Sequence, residues 1–304
     1  MSEKKELKGA IVECVPNFSE GREPDIIKVI MNEIDSVQHV KVLDLNSDID
    51  HNRSVITFIG QPSAVIEAAV AAVRAASRLI NLNKHQGVHP RIGAADVVPI
   101  VPIRGISMDE CVALARELAK RIWNEIEVPT YLYGFAALRE DRIRLERVRM
   151  KGFEQMRELV TKDKTKQPDF GGPVLHPTAG ATIVGARAPL IAFNVNLNST
   201  DLNAAKKIAE AVREKNSGLI GLKALGLELK RLACVQVSTN ITRTDVVSPY
   251  AVFEKIKGAA EKRGISVKGS ELIGLVPLNS VINSTKESIH LGLLNSSKII
   301  ELNL

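Results

Sequence analysis

A histidine fixed in a turn, with an arginine and an aspartate close behind it, has the parts needed to move protons near neutral pH. The chain carries such a set in Lys84-His85-Gln86-Gly87-Val88-His89-Pro90-Arg91-Ile92-Gly93-Ala94-Ala95-Asp96. Pro90 disfavours helical backbone at His89 and places it in an extended or turn conformation. An imidazole there can accept a proton and return it. The plain alternative is a surface-turn histidine. His85 lies four residues before His89, a spacing that chelates a metal on a continuous helix. Gly87 and Pro90 interrupt any helix, no third ligand is evident, and no metal is expected.

Three other stretches combine polar groups with turn residues. In Val15-Pro16-Asn17-Phe18-Ser19-Glu20-Gly21-Arg22, Asn17 and Ser19 end a strand and precede a helix, where backbone amides can hold an anion. Ordinary turn and cap chemistry reads equally well. The stretch Asp44–Arg53 has aspartates at calcium-like spacing but lacks the glycine and closing glutamate of an EF-hand loop. Arg53 in it can pair with a substrate carboxylate. The run Asp169–Thr182 is rich in Gly and Pro, matches neither a P-loop nor a dinucleotide fingerprint, and lets backbone approach a ligand closely. A linker is the simpler reading of its composition.

These loops need elements to hold them. The spacing predicts strands over 11–15, 40–45, 54–60, 96–103 and 129–133, with helices over 25–34, 62–82 and 107–125. Ser107 and Glu110 have the spacing of a capping box. After a connector within 161–180, strands are expected over 190–196, 235–240, 265–268 and 273–276, a strand or loop over 219–225, and helices over 201–214 and 249–262. Both halves then read strand–helix–strand–strand–helix–strand, the split βαβ or ferredoxin-like plan of an α+β protein. The expected division is 1–180, connector included, and 181–304. Two such subdomains packed side by side would leave a substrate cleft between them.

Composition narrows the classes. Of 304 residues, 45% are hydrophobic and 25% charged, a folded-protein balance. The opening residues lack an apolar run behind a basic head, and no segment is long and apolar enough to span a bilayer, so a cytoplasmic protein without membrane contact is expected. Cys14, Cys111 and Cys234 are isolated in apolar runs and read as buried small hydrophobes. The net charge of +6 favours anionic partners. Aromatics at 4% leave no stacking surface for single strands, so nucleic acid is not an expected partner. A small polyanion remains.

Taken together, the chain resembles the glutamate formiminotransferase family. The resemblance rests on Val12-Glu13-Cys14-Val15-Pro16-Asn17-Phe18-Ser19-Glu20-Gly21, Ala76-Ser77-Arg78-Leu79-Ile80, His89-Pro90-Arg91-Ile92-Gly93-Ala94, Val101-Pro102-Ile103-Arg104-Gly105 and Tyr131-Leu132-Tyr133-Gly134. It continues through Asp169-Phe170-Gly171, Leu190-Ile191-Ala192-Phe193-Asn194, Gln236-Val237-Ser238-Thr239-Asn240 and Gly274-Leu275-Val276-Pro277-Leu278.

The resemblance implies transfer of a formimino group from N-formimino-L-glutamate to N5 of tetrahydrofolate, a step of histidine degradation, with tetrahydrofolate as co-substrate and no metal. It implies two ferredoxin-like subdomains, a homodimer, and His89 as the catalytic residue. It also implies a folate-binding segment at Gly171, Gly172, Pro173, Val174, Leu175, His176, Pro177, Thr178, Ala179 and Gly180. Arg53, Arg91 and Arg104 are the candidates for substrate anions. A cyclodeaminase domain fused to some relatives is not expected here, so a separate enzyme would release ammonia. The chain departs from the family at Ala179, where a Trp is expected, at Asn46, where an Asp is expected, and at Val88, in place of a Glu. Loss of the Trp would remove a ring-stacking partner. Formyl transfer giving 5-formyltetrahydrofolate and noncatalytic folate binding are the alternatives.

Overall fold

The structure is a computed structural model that describes residues 9–49, 51–87, 90–149 and 152–299. It divides into two compact units, one ending at Ala188 and the other beginning at Pro189. The first unit contains β1 (Ile11–Cys14), β2 (Asn17–Phe18), α1 (Pro24–Asp35), β3 (Val40–Asp48), β4 (Arg53–Gly60), α2 (Pro62–Leu79) and β5 (Ala95–Arg104). It continues with α3 (Met108–Ile126), β6 (Thr130–Gly134), α4 (Leu145–Arg149), α5 (Gly152–Lys162) and β7 (Thr182–Ala186). The second comprises β8 (Ile191–Leu197), α6 (Leu202–Val212), β9 (Leu222–Leu229), β10 (Cys234–Ile241), α7 (Pro249–Glu261), β11 (Val267–Ile273) and α8 (Leu278–Ser288).

In the first sheet, β3 pairs with β4, β1 and β2 lie between β4 and β5, and β7 and then β6 follow β5. Pairings are antiparallel as far as β5 and parallel from β5 through β7 to β6. α2 explains how the helical layer closes on this sheet. Its Val65, Ile66, Ala69, Val70, Val73 and Ala76 are all buried, and small alanines let it pack against both α1 and α3. The Ser107 capping box is present. Ser107 Oγ accepts from the Glu110 amide at 3.2 Å, and the Glu110 carboxylate accepts from the Ser107 amide at 2.8 Å. Two orphan amides at the start of α3 are thereby satisfied. The three cysteines are free and buried. No described helix is long and apolar enough to cross a membrane.

The second sheet is antiparallel in the order β11–β8–β10–β9, with α6 and α7 packed on it. The chain as a whole is a mixed α+β protein with two sheets.

The structure corrects several element boundaries. α2 stops at Leu79, because Ile80 is extended at φ −104° and ψ 120°. The stretch before the connector forms α4 and α5, and 182–186 forms β7 at the far side of the connector. β7 pairs with β5 and β6, so the residues just after 180 complete the first sheet. The two short strands expected over 265–276 are one strand, β11, with a bulge between Val267 and Gly269, followed by α8. Among the described residues β11 pairs with β8 alone, and it is largely exposed, so no alternation of apolar residues marks it.

Candidate active site

His89 and Val88 lie outside the described residues. The chain on both sides of them is fixed. His85 Nε2 stands 2.9 Å from the Asn52 carbonyl oxygen, and His85 Nδ1 accepts from Arg91 Nε at 2.7 Å. These two bonds define a neutral ring with its proton on Nε2. Arg91 also donates to the His85 carbonyl at 3.1 Å and grips the Glu154 carboxylate with both terminal nitrogens, at 2.9 and 3.2 Å. Both faces of the loop are thus tied to α5 and to the turn before β4.

Asn52 is the second anchor. It is buried in left-handed backbone at φ 47°, which asparagine tolerates better than most residues. Its side-chain oxygen accepts from the Gly21 amide at 2.9 Å, and its nitrogen donates to the Gln86 carbonyl at 3.0 Å. A Cβ on Gly87 would sit 2.3 Å from the His51 carbonyl oxygen, and one on Gly21 would sit 2.4 Å from that of Asp48. The glycines are therefore required by backbone-to-backbone packing. Asp96 closes the loop on its far side. One carboxylate oxygen accepts from the amides of Ile92 and Gly93 at 2.7 and 3.1 Å, and the other pairs with Arg149 at 3.0 Å. Ser19 joins the set from the end of β2, donating from Oγ to the Gly93 carbonyl at 2.7 Å.

The Gly/Pro-rich segment packs directly on this loop. The Leu82 amide donates to the Thr178 carbonyl at 2.8 Å, the Ala94 amide to that of Ala179 at 2.9 Å, and the Ala181 amide to that of Ile92 at 2.9 Å. Asn83 reaches the Pro177 carbonyl at 2.9 Å. His176 and Gly180 exchange backbone bonds at 2.9 and 3.0 Å, closing a tight loop. The Ala179 amide donates to His176 Nδ1 at 3.0 Å. Gly180 has φ +70°, and a Cβ there would lie 2.0 Å from the Ile92 carbonyl oxygen. At the other end of the segment, Asp169 and Arg142 form a buried ion pair at 2.7 Å, and Asp169 accepts from the Leu132 amide at 2.7 Å.

Described residues of the four stretches singled out from the sequence, 15–22, 44–53, 84–96 and 169–182, therefore meet here through Ser19, Gly21, Asn52, His85, Gln86, Gly93, Ala94, Ala179 and Ala181. Within the segment 171–180 the residues differ. Gly172, Val174 and Pro177 are exposed or half-buried, whereas Leu175 and Ala179 are buried, Ala179 being 1% exposed. A large ring at position 179 has no room on this backbone. Ala179→Trp is expected to destabilise the fold by about 1–3 kcal/mol through overpacking, read as a lowered denaturation midpoint, and not to tighten folate binding.

The three arginines separate. Arg53 is half-buried close to Arg149, Asp96 and Asp48. Burial and then Arg149 lower its pKa, while the two aspartates oppose that shift. Arg91 is committed to Glu154 and His85. Arg104 ends β5, nine residues from Ala95, or about 30 Å along an extended strand, and is not brought to the loop. The Asn17 side chain makes a local bond to the Val15 carbonyl at 3.1 Å. Among the described residues no group of three or more metal-binding side chains occurs. Asn52, Glu154 and Asp169 are not among the site candidates read from the sequence, and Asp96 enters there as the aspartate close behind His89. A buried-type asparagine before a strand and an aspartate closing the His-Pro-Arg loop were the available signals, whereas Glu154 had none.

Burial lowers the pKa of His85, with Arg91 acting in the same direction and the Asn52 bond opposing. Burial also lowers that of His176. A base whose folded pKa is depressed binds fewer protons folded than unfolded, so its contribution to stability is complete above the unfolded value, near 6.5, and declines as pH falls toward the folded one. Thermal stability is expected to rise with pH through that window. His85→Gln, which keeps one donor and one acceptor, should flatten the slope.

Comparison with known proteins adds a separate observation. Residues 11–187 match the model of the formiminotransferase domain, N-terminal subdomain, and residues 192–299 that of the formiminotransferase domain. A glutamate formimidoyltransferase of Thermoplasma acidophilum is 44% identical over 96% of this chain and 96% of its own. One from Streptococcus pyogenes is 43% identical over 90% and 91%. The formimidoyltransferase-cyclodeaminase of Rattus norvegicus is 41% identical over 90% of this chain, which spans 51% of that longer protein.

Proposed function

This chain belongs to the formiminotransferase family, and from that premise we propose that it transfers a formimino group from N-formimino-L-glutamate to N5 of tetrahydrofolate with His89 as the acid–base residue. The observation that carries the site assignment is the bracing of the His89 loop by the Asn52–His85–Arg91–Glu154 network, directly against the segment 171–180.

In the transfer, N5 attacks the formimino carbon. A C–N bond forms, the attacking nitrogen gives up its proton, and a tetrahedral species results. Collapse of that species breaks the bond to the glutamate nitrogen, which takes up a proton as it leaves. One imidazole performs both transfers in turn and returns to its starting state. Holding both substrates removes the entropy of their encounter. The segment 171–180 presents half-buried backbone for the folate, and Arg53 beside Arg149 supplies positive charge for a carboxylate. Arg104 has no part in this reading.

We read each unit as ferredoxin-like, since β1–α1–β3–β4–α2–β5 and β8–α6–β9–β10–α7–β11 share one order of elements and one order of strands. A homodimer in the cytoplasm, serving histidine degradation, completes the reading.

The test is a paired assay. The protein is incubated with tetrahydrofolate and either formiminoglutamate or formylglutamate. The formimino reaction is acidified and read by methenyl-folate absorbance, and the formyl reaction is separated chromatographically for 5-formyltetrahydrofolate. Product from the formimino donor is expected. Product from the formyl donor alone would reassign the reaction, and folate binding with neither product would make the chain a binding protein.

A further inference from the structure

β11 closes one side of the second unit's sheet, and among the described residues no strand lies beyond it. Residues 268–272 are all exposed, and their outer side presents unpaired backbone donors and acceptors. Proteins commonly guard such an edge with proline, a bulge or charged side chains set along it. β11 contains no proline, and its bulge lies between Val267 and Gly269, so 269–273 keep a regular register with β8. Its two charged side chains turn back over the unit's own sheet. The Glu271 carboxylate accepts from Gln236 Nε2 at 2.7 Å and from Asn194 Nδ2 at 3.2 Å, and Lys268 Nζ donates to the Leu232 carbonyl at 3.0 Å. A Cβ on Gly269 would meet nothing within 4 Å. The edge is therefore open where the strand is regular.

A groove of about 650 Å³ runs beside this edge, lined by Phe253, Lys257 and Glu261 of α7 and by residues 264–270. The three α7 residues are spaced four apart and form one stripe of the helix, so the groove lies on the helical side of the sheet. Phe253, Ile265 and Val267 give it an apolar floor. Leu272 is on the same side, because it stands opposite Phe193, which packs into the core beneath the helices. It is nevertheless 42% exposed. An apolar projection and an apolar groove thus sit at opposite ends of one open strand.

Resting on the homodimer reading above, we infer that β11 is the surface through which two copies of this chain join, edge to edge and antiparallel, with Leu272 of each copy seated in the groove of the other. A two-fold axis normal to the sheet makes both copies use the same residues. It also keeps every side chain on its own side of the sheet, so the axis passes at a residue and not between two. At Glu271 it would set two carboxylates directly opposite each other, which is destabilising. At Gly269 it would draw the bulges of both strands into the pairing. At Leu272 it would run the pairing past the strand end, where Gly274 has left-handed backbone at φ 73°. At Ser270 the pairing covers 268–272 in both copies. Leu272 then stands opposite Lys268 of the second copy, among the residues that line that copy's groove, and Glu271 stands opposite Gly269, which has no side chain to crowd it. One contact satisfies both open edges and fills both grooves.

The test uses the full chain in analytical ultracentrifugation over a range of concentrations. Wild type is expected to sediment as a dimer. Leu272→Asp carries a charge into the groove and should weaken association by about thirtyfold or more, the effect of losing a central apolar anchor. Because Leu272 is exposed in the single copy, the circular dichroism of the variant should match wild type. Ser270→Cys places two thiols opposite each other across the axis, at a Cα spacing a disulfide spans. Mild oxidation should then give a covalent dimer, whereas wild type, whose three cysteines are buried, should give none. A monomeric wild type would overturn both this surface and the homodimer reading. A wild-type dimer that withstands Leu272→Asp, or that Ser270→Cys does not cross-link, would overturn this surface and leave the homodimer standing.

Discussion

His89→Ala is expected to lower turnover by about 10²–10⁴-fold while folate affinity stays within about twofold of wild type. At about 1.4 kcal/mol per tenfold, that corresponds to about 3–6 kcal/mol of transition-state stabilisation. The separation of effects follows from where the loop is held. Its fixed points are His85, Gln86, Arg91, Ile92 and Gly93, and none of those bonds uses the His89 side chain. Removing the imidazole therefore leaves the frame and the adjoining segment 171–180 in place. Single-turnover transfer followed by acid conversion to methenyl-folate measures the first quantity, and equilibrium folate binding the second. Partial recovery of the variant by added imidazole would identify proton transfer as the missing function. Turnover near wild type would remove His89 from the mechanism, and a parallel loss of folate binding would make its role one of binding.

The largest stability effect is expected at Asp169. Asp169→Ala removes the partner of Arg142, whose pairing at 2.7 Å has both side chains almost fully buried, at 5% and 6% exposed. Stripping one member from such a pair costs about 3–5 kcal/mol, because the other charge stays desolvated. Arg142 would keep its bonds to the Thr165 and Gln167 carbonyls, at 3.2 and 2.5 Å, and its stacking over Tyr131 at 5.0 Å, but those oxygens are neutral. The Leu132 amide would lose its acceptor as well. The melting temperature should fall by roughly 6–20 °C, taking roughly 2–4 °C per kcal/mol for a unit of this size. Asp169→Asn should cost less, since it can still accept from Leu132. The double variant Asp169→Ala with Arg142→Met should recover part of the loss, as removing both charges ends the desolvation penalty. A fall of less than 1 °C in the single variant would show the pair to be solvated. Because Asp169 immediately precedes Phe170 and Gly171, folate affinity of the surviving folded fraction should drop too.

Much of the architecture was legible in the residues alone. α2 and α3 announce themselves by apolar spacing, a proline at the first turn of one and a capping box in the other. β1, β4, β5 and β10 are buried and alternate or run apolar. Where the local pattern is weak, reading failed for identifiable reasons. β11 is an edge strand with most side chains in water, so nothing forces alternation upon it. β7 is five residues long and contains Gly185, against which the Tyr133 ring packs. Its strand character comes from its neighbours β5 and β6.

The same division runs through the site. Sequence by itself determined the chemical inventory: an imidazole on a proline-constrained turn, glycines where backbone approaches backbone, a Gly/Pro-rich segment that cannot be a helix, and a charge balance suited to anions. Those are properties of residue types and their nearest neighbours. Tertiary structure decided which groups are free to act. It bound Arg91 to His85 and Glu154, set Arg104 at the far end of β5, buried Ala179, and joined Asn52 to Gln86, residues 34 apart in the chain. It also drew Asn194, Gln236 and Glu271 together from three strands. Such contacts depend on strand register and long-range packing, which fix a side chain's partners only after the whole sheet has formed, and no local spacing encodes them.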